Sequence, residues 1–399
     1  MKKLVILISM VAVALVVSCQ QEEKFEQLDN EVKKEYIVSI ETAKDVAFFH
    51  LHQNKNMPKT RSRNVDDIKI ESTFSINDDA SDPVMHIINY EDGGFAIVSG
   101  DNRIEPMLAY SDEGSFSDNH LDYPEGLVDW IEHVKGTIDY IRTNDVALPE
   151  ELAKFWEATE LSGKSRAIPE QGFSCIPGER FDEAISGPYL TTMWHQDSPF
   201  NTLMPTITCG GTSRNAYVGC VPLAIAQMLK YWEYPTGYNW NNMPDYTATD
   251  ETRYLIHHIR VFYERYKTIN YECDGTGTSG EAIDDVIKNN FGYRSATYAS
   301  FNTETLMNEV LYNGRPAILT GQSPNGGDGH AWVCDGGHRW SVCLSEDATF
   351  PAVTYNYFHM NWGWAGQYNG WFNYSNFTIP DLGYNFNSNK KMVYNIIPN

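Results

Sequence analysis

The sequence is poor in basic residues, in long apolar runs and in metal-ligand motifs. Its 399 residues contain 30 Lys and Arg against 53 Asp and Glu, a formal net charge of −23. Nucleic acids bind to basic faces that contact their phosphates, so this charge argues against a nucleic-acid partner. Beyond the N-terminus, no apolar run is long enough to span a bilayer. Neither a CxxC spacing nor a cluster of His and Cys occurs, which argues against a structural zinc site.

The composition is that of a chain able to fill a hydrophobic core. Apolar residues make up 42% of it and aromatic residues 13%, which excludes a disordered chain. Its length suffices for two domains after a leader is removed. The excess of acidic residues is larger in residues 20–170 than in residues 171–399. This difference predicts two parts with separate roles.

Residues 1–18 have the features of a signal peptide. Two lysines precede an apolar run, and the small Ser18 precedes Cys19. The run is too short for an ordinary membrane-spanning helix. Residues 16–19 also resemble a bacterial lipobox, in which Cys19 is lipidated and becomes the new N-terminus. A plain secretory signal that happens to contain Cys19 is the alternative. Either interpretation predicts an exported bacterial protein, and the first adds a lipid anchor in the cell envelope as its only membrane contact.

The cysteines leave the disulfide pairing open. Export permits disulfides, but apart from Cys19 and Cys220 an odd number remains, so at least one stays free or pairs elsewhere. Cys334 and Cys343 flank a predicted turn at residues 335–339 and could face each other across a hairpin. These remaining cysteines are Cys175, Cys209, Cys273, Cys334 and Cys343.

The first half, residues 19–160, is predicted to form a small α+β domain. A helix is predicted over residues 37–54, and two β-rich runs within residues 84–98 are separated by a hairpin signal. Residues 127–142 have helical periodicity. A polar segment without clear periodicity follows, and we predict a linker over residues 161–187 that is open to proteolysis.

The second half, residues 188–399, begins with helices and ends with strands. Residues 221–232 form a helix that is apolar nearly all round and is therefore expected to be buried. Antiparallel strands after helices indicate the α+β class. Further helices are predicted at residues 281–289 and 306–312, and strands at 317–320, 330–334, 340–344, 355–360 and 370–374.

The segment around Cys220 carries the main chemical signal. Cys220 stands directly before the predicted buried helix, where unpaired N–H groups and the helix dipole stabilise an anionic sulfur. Pro222 lies in the first turn, where a missing N–H costs nothing. A single cysteine is more commonly a buried, inert side chain, so the segment alone does not establish a nucleophile.

The residues that would complete a catalytic site lie elsewhere in the chain. His330 follows a glycine-rich turn and opens a strand, and imidazole suits proton transfer near neutral pH. His338 and His359 compete with it. Asn361 could accept a ring hydrogen bond from the histidine, and Trp362 could shield that bond from water. Gln196 could donate to an oxyanion beside the backbone N–H of Cys220.

The order Gln196, Cys220, His330, Asn361 is that of oxyanion donor, nucleophile, base and orienting residue in papain-like enzymes. The chain resembles the streptopain family, a branch of papain-like cysteine peptidases. The first half resembles the inhibitory propeptide of that family at residues 93–101 and 108–116. The catalytic motifs that carry the resemblance lie at residues 196–201, 219–228, 329–336 and 359–364.

The resemblance implies a papain-like, two-lobed α+β catalytic domain, with a helical lobe and then an antiparallel β lobe, after a small α+β propeptide domain. It implies a cysteine endopeptidase made as an inactive precursor, with protein or peptide substrates and its own prodomain as intramolecular inhibitor. Ser279 and Gly329 would line the cleft, with an apolar substrate side chain preferred two residues before the cut. No cofactor and no metal are expected.

Two other functions are compatible with the same motifs. The first is a surface-binding protein on an inactive protease scaffold, which the presence of both Cys220 and His330 disfavours. The second is acyl transfer to amines instead of water by the same Cys-His chemistry. The sequence does not separate this activity from hydrolysis.

Overall fold

The structure is a computed structural model in which no described helix is long and apolar enough to cross a membrane. The described residues are 35–53, 67–119, 122–161, 180–322, 329–342, 353–374, 378–379, 384–385 and 390–399.

The first domain packs helices against a four-stranded antiparallel meander. The predicted hairpin is confirmed, and its turn requires glycine at Gly94, which has a φ of 95° and whose added Cβ would lie 2.8 Å from the carbonyl oxygen of Ser111. The elements in chain order are α1 Ile40–Gln53, β1 Ile70–Asn77, β2 Pro83–Tyr90, β3 Phe95–Ser99, β4 Met107–Ser111, α2 Glu125–Thr143 and α3 Glu150–Leu161.

Helix α2 is amphipathic, as its periodicity predicts. Its apolar side chains recur every three or four residues and are buried against the sheet, while Glu132 and Lys135 stay partly exposed. Helix α3 was not predicted, because its polar residues obscured the periodicity of Phe155 and Trp156, which are both buried.

In the second domain the helices precede the strands from Ala317 onward, as expected, but six strands that were not predicted lie before or between the helices. Its elements are β5 Arg180–Ser186, β6 Thr206–Cys209, β7 Thr212–Asn215, α4 Cys220–Trp232, α5 Asp250–Tyr263, β8 Asn270–Tyr271, β9 Thr276–Gly277, α6 Ile283–Phe291, β10 Ser295–Ser300, α7 Thr303–Met307, a π-helical turn Asn308–Tyr312, β11 Ala317–Gln322, β12 Gly329–Val342, β13 Val353–Asn361, β14 Gly370–Asn373, β15 Thr378–Ile379, β16 Tyr384–Asn385 and β17 Lys391–Ile397. Short 3₁₀ turns lie at Phe200–Leu203, Trp240–Asn242 and Gly280–Ala282.

Helix α4 is the centre of the helical lobe. Every residue from Cys220 to Leu229 is buried, in agreement with its all-round apolar sequence. It packs against α5 and against β12. Helix α5 begins at the cap residue Thr249, whose side chain accepts a hydrogen bond from the backbone N–H of Thr252.

Both domains contribute to one antiparallel sheet. Its order is β1-β2-β3-β4-β14-β13-β12-β11-β17-β10, and β5 pairs with β12 in addition. The junction is the pairing of β4 with β14, where Tyr110 lies opposite Trp371 and Ala109 opposite Phe372. The predicted α+β architecture is therefore confirmed, but the two parts share a sheet that the sequence did not reveal.

The predicted turn at residues 335–339 is wrong. Strand β12 runs without interruption from Gly329 to Val342, with a bulge near Cys334. Its glycines permit close packing: a Cβ on Gly336 would lie 2.9 Å from the Trp371 ring, and one on Gly337 would lie 2.9 Å from the sulfur of Met307. The continuous strand removes the turn on which the predicted contact of Cys334 with Cys343 depended, and Cys343 itself lies outside the described residues.

The structure gives the pairing state of three other cysteines. Cys209 and Cys273 form a disulfide across a sequence separation of 64, while Cys334 is free and buried. Cys19, Cys175 and Cys343 lie outside the described residues.

The end of the predicted linker is a strand. Its residues 162–179 lie outside the described residues, but its end forms β5, which pairs with β12. Arg180 lies opposite Val342 and Ser186 opposite Gly337. The domain boundaries themselves stay a prediction.

Candidate active site

Cys220 is the first residue of α4. Gly219 before it has a φ of 88°, and a Cβ there would lie 3.0 Å from Cγ2 and 3.2 Å from the carbonyl oxygen of Thr276. Glycine therefore allows the chain to enter the helix against this neighbouring loop. The first N–H groups of α4 have no partner within the helix and stabilise negative charge at this end. Cys220 is 9% exposed, so its sulfur is sheltered but reachable.

His330 lies near the start of β12, opposite Gly321 of β11. Its ring is nearly parallel to that of Trp332, and the residue is buried. Burial lowers the pKa of His330, but its interactions with the Cys220 sulfur and with the carboxylate of Glu125 outweigh burial and raise the pKa to about 10. This environment favours an imidazolium beside the Cys220 sulfur.

The two ring nitrogens of His330 have different partners. Nε2 is 3.4 Å from the backbone carbonyl oxygen of Trp362, and Nδ1 is 3.1 Å from a carboxylate oxygen of Glu125. Both partners accept hydrogen bonds, so both favour the doubly protonated ring.

Asn361 does not make the direct contact with His330 that we expected. Its Oδ1 accepts hydrogen bonds from the N–H of Gly363 at 3.1 Å and from Nε2 of Gln227 at 3.3 Å, and its Nδ2 donates to the carbonyl oxygen of Thr192 at 2.8 Å. Trp362 is nevertheless placed beside the base through its carbonyl group. Its ring is buried against Trp332, and its shielding role stays a prediction.

Most of the predicted catalytic and cleft residues lie at one cavity of about 740 Å³. Gln196, Cys220, Gly329 and His330 all contribute to its lining. The carbonyl oxygen of Gln196 accepts a hydrogen bond from the N–H of Val218 at 2.9 Å, which holds the segment of Gln196 next to that of Cys220.

Ser279 is an exposed residue that is not among the described residues lining this cavity. Its hydroxyl accepts a hydrogen bond from the N–H of Glu281 at the start of the turn before α6. Its predicted contact with substrate stays a prediction.

The two competing histidines have other environments. His338 is buried between Tyr110 and Glu183 and accepts or donates hydrogen bonds at 2.5 Å and 2.8 Å. His359 lies 2.6 Å from the carboxylate of Asp335. Neither histidine is among the described residues that line the cavity of Cys220. His195 and His330 both line it, and His330 is the one that interacts with the Cys220 sulfur.

Two known protein families match the chain. Residues 194–238 and 236–372 match the model of the Peptidase C10 family, and residues 32–138 match that of the Spi protease inhibitor. The chain belongs to the Peptidase C10 family. It is a cysteine endopeptidase of the streptopain type, made with an inhibitor-like prodomain.

Relatives of this peptidase are similar over most of its length. Streptopain of Streptococcus pyogenes is 23% identical over 381 residues, which cover 83% of each chain. The thiol protease/hemagglutinin PrtT of Porphyromonas gingivalis is 24% identical over 315 residues, 70% of this chain and 32% of that protein. A fragment of prointerpain A of Prevotella intermedia has a similar fold, with a TM-score of 0.54 at 20% identity, covering 82% of this chain and 99% of that one. This likeness supports the papain-like α+β fold with a prodomain.

The prodomain of the peptidase touches the base directly. Helix α2 begins at Glu125, and the next residue, Gly126, lies against the aromatic side chains around His330. A Cβ added to Gly126 would lie 2.7 Å from Cδ2 of His330 and 2.9 Å from the ring of Trp362. Only glycine therefore allows α2 to approach this closely. Tyr123 and Glu125 also line the cavity of Cys220.

Sequence reasoning did not identify Glu125 and Gly126. The helical periodicity begins only at residue 127, so neither residue belonged to a predicted element. The described part of the chain contains no group of three or more His, Cys, Asp or Glu arranged to hold a metal ion.

Proposed function

We propose that this peptidase is an exported zymogen whose Cys220 thiolate attacks the carbonyl carbon of a peptide bond. The observation that carries the proposal is the placement of Cys220 at the N-terminus of α4, in one cavity with His330 and Gln196. A helix N-terminus stabilises the thiolate, and the neighbouring imidazolium supplies the counter-charge.

The reaction proceeds in two halves. The sulfur of Cys220 bonds to the carbonyl carbon, and the carbonyl electrons move to its oxygen. The C–N bond then breaks as His330 gives its proton to the leaving amine, which leaves a thioester on Cys220. Water attacks the thioester, His330 takes a proton from it, and the thiolate departs with release of the acid. The backbone N–H of Cys220 and the side-chain amide of Gln196 are the donors to the oxyanion.

Substrates of this site are peptides or proteins. Gly329 forms part of the cavity wall, where the absence of a side chain lets an extended substrate approach the backbone. We retain Ser279 as a second contact for substrate and an apolar side chain two residues before the cut as the preferred feature.

Latency follows from the contact of the prodomain with His330. Since Nε2 faces the carbonyl of Trp362, Nδ1 is the nitrogen left for proton transfer, and the carboxylate of Glu125 occupies it. The first turn of α2 also fills space beside the ring of His330. Cleavage within residues 161–187 would end the covalent attachment and let the prodomain leave, because a tether supplies a high effective concentration only while it is intact.

The test compares peptide cleavage by wild-type protein, Cys220→Ala and Cys220→Ser, each before and after limited proteolysis of the linker. We expect cleavage only by proteolysed wild type, and labelling of Cys220 alone by an epoxide inhibitor. Activity retained in Cys220→Ala would overturn the assignment of the nucleophile. Uncut wild type as active as the proteolysed form would overturn latency. Incorporation of an added amine into products would indicate acyl transfer in place of hydrolysis.

We also propose that Cys19 is lipidated after removal of residues 1–18, as the lipobox-like residues support. Mass spectrometry of the protein from a bacterial envelope should find a diacylglyceryl group on Cys19, and Cys19→Ser should release the protein from the membrane fraction. A wild-type protein found unacylated in the culture medium would contradict the anchor.

A further inference from the structure

A closed hydrogen-bond network lies behind His330 and connects it to the nucleophile helix. It consists of Thr192, Gln227 and Asn361, each at most 2% exposed. The hydroxyl of Thr192 donates to Oε1 of Gln227 at 2.8 Å, and Nε2 of Gln227 is 3.3 Å from Oδ1 of Asn361. Nδ2 of Asn361 donates a hydrogen bond to the backbone carbonyl of Thr192 at 2.8 Å, which closes the network.

Two backbone groups determine the direction of every bond in this network. The carbonyl of Thr192 can only accept, so it must face Nδ2 of Asn361, and the N–H of Gly363 can only donate, so it must face Oδ1. Oδ1 then requires a donor from Gln227, which leaves Oε1 of Gln227 to accept from the Thr192 hydroxyl. All of the buried polar groups are satisfied in this one arrangement.

The network reaches His330 through a peptide group. The N–H of Gly363 and the carbonyl of Trp362 belong to the same planar trans peptide, so they point in opposite directions. Oδ1 of Asn361 holds the N–H at 3.1 Å, and the carbonyl consequently faces Nε2 of His330 at 3.4 Å. Rotation of this peptide plane would remove the acceptor from the imidazole.

Gln227 links the base to the nucleophile because it belongs to α4. It lies seven residues after Cys220, which is about two helical turns and therefore the same face of the helix. Thr192 precedes Gln196 by four residues, so the network also contacts the segment of the oxyanion donor.

We infer that Gln227 and Thr192 are positioning residues that orient His330 through Asn361 and the Trp362–Gly363 peptide. The inference rests on the proposed function of Cys220 and His330. Neither side chain touches substrate. Their effect is to hold the carbonyl that accepts the Nε2 proton, which stabilises the imidazolium and directs Nδ1 toward the reacting atoms.

The experiment uses Thr192→Val, which keeps the shape of threonine and removes its hydroxyl, and Thr192→Ser, which restores the hydroxyl. Gln227→Met is the second disrupting variant. The control is Tyr231→Phe, which lies on α4 as well and loses a hydrogen bond of 2.9 Å to the carbonyl of Gly314. Each variant is made in the full-length protein and assayed after limited proteolysis, with the active fraction counted by epoxide labelling.

We expect Thr192→Val and Gln227→Met to lower kcat per labelled site by about tenfold or more, because small displacements of catalytic groups have effects of this size, while KM stays within about twofold. A carbonyl acceptor favours the charged imidazole, so its displacement should also move the alkaline limb of the pH profile to lower pH. Thr192→Ser should restore kcat and the pH profile, and Tyr231→Phe should change neither.

The outcomes separate this inference from the proposed function. An unchanged kcat per labelled site and an unchanged alkaline limb in Thr192→Val and Gln227→Met would overturn the positioning role, even if less of the protein folds. The same limb shift in Tyr231→Phe would show a general effect of destabilising α4 and would also overturn it. Full activity of Cys220→Ala would instead remove the proposed function on which the inference rests.

Discussion

Two of the regions in which the prodomain contacts the catalytic domain differ in chemistry. In the blocking region, Glu125 and Gly126 lie against His330 inside the cavity of Cys220. In the docking region, β4 pairs with β14, and a cluster of aromatic and basic side chains packs around the junction. The docking cluster comprises His50, Tyr110, Arg180, His338 and Trp340.

The docking region joins the domains through buried area and directional bonds. Nη2 of Arg180 is 2.7 Å from Nδ1 of His50, and its guanidinium lies 4.0 Å from the centre of the Trp340 ring. The hydroxyl of Tyr110 is 2.5 Å from Nδ1 of His338. The blocking region has few such contacts, yet it is the one that reaches the base. The comparison therefore indicates that attachment and inhibition reside in different residues and can be altered separately.

We expect the largest effect on latency from Gly126→Leu, which disrupts the blocking region alone. The new side chain has no space beside His330 and Trp362, and overpacking of this kind costs about 1–3 kcal/mol, equivalent to about 5- to 150-fold. Peptide cleavage by uncut protein should rise within that range. Val128→Leu, at an exposed position on the same helix, is the control. Equal latency in Gly126→Leu and wild type would show that this contact does not block the site.

Acid should weaken the docking region through His50. Burial lowers the pKa of His50, and the charges of Arg180 and His338 lower it further. Protonation of His50 is therefore less favourable in the docked prodomain than in the released one. Docking keeps its full stability above pH 6.5, the ordinary pKa of histidine, and weakens as pH falls below it. The docking equilibrium constant should fall by up to about tenfold per pH unit.

The measurement is retention of the cut prodomain on the catalytic domain between pH 7 and pH 5. The wild-type complex should dissociate progressively, and His50→Gln, which cannot be protonated, should flatten the dependence. Since burial also lowers the pKa of His338, which bonds to Tyr110 of the prodomain, some dependence should persist in the variant. An identical profile in wild type and His50→Gln would contradict the role of His50.

We expect the smallest effect on latency from Glu125→Gln. This variant removes the charge of the blocking region and keeps its steric contact. The Glu125 side chain is 53% exposed, and exposed ion pairs contribute about 0.2–1 kcal/mol, so latency should relax by about 1.4- to fivefold. Glu125 is one of the groups that raise the pKa of His330 to about 10, and this pKa should fall in the variant. NMR titration of His330 in the uncut protein measures it, with Glu132→Gln as the control. A His330 pKa that is the same in Glu125→Gln and wild type would rule out the ion pair.

Much of the local structure could be predicted because it depends on residues close together in the chain. The apolar period of α2, the all-round apolar residues of α4 and the turn between β2 and β3 identify these elements without reference to the rest of the fold. The failure at residues 335–339 has a physical reason. Two adjacent glycines suggest a turn, whereas Gly336 and Gly337 stand in a continuous strand because Trp371 and Met307 leave no space for side chains.

The sequence by itself determined the kind of chemistry: a cysteine before a buried helix, an imidazole at a strand start and a glutamine upstream. The motif at residues 329–336 also selected His330 over His338 and His359. The tertiary structure added what packs against each of these histidines, which all lie on β12 or β13. Only the tertiary structure showed that residues far apart in the chain are in contact. Glu125 contacts His330, and the side chain of Asp129 lies 3.6 Å from that of the buried Lys390. Electrostatic and hydrogen-bond interactions act over a few ångströms in space, and separation along the chain does not predict that distance.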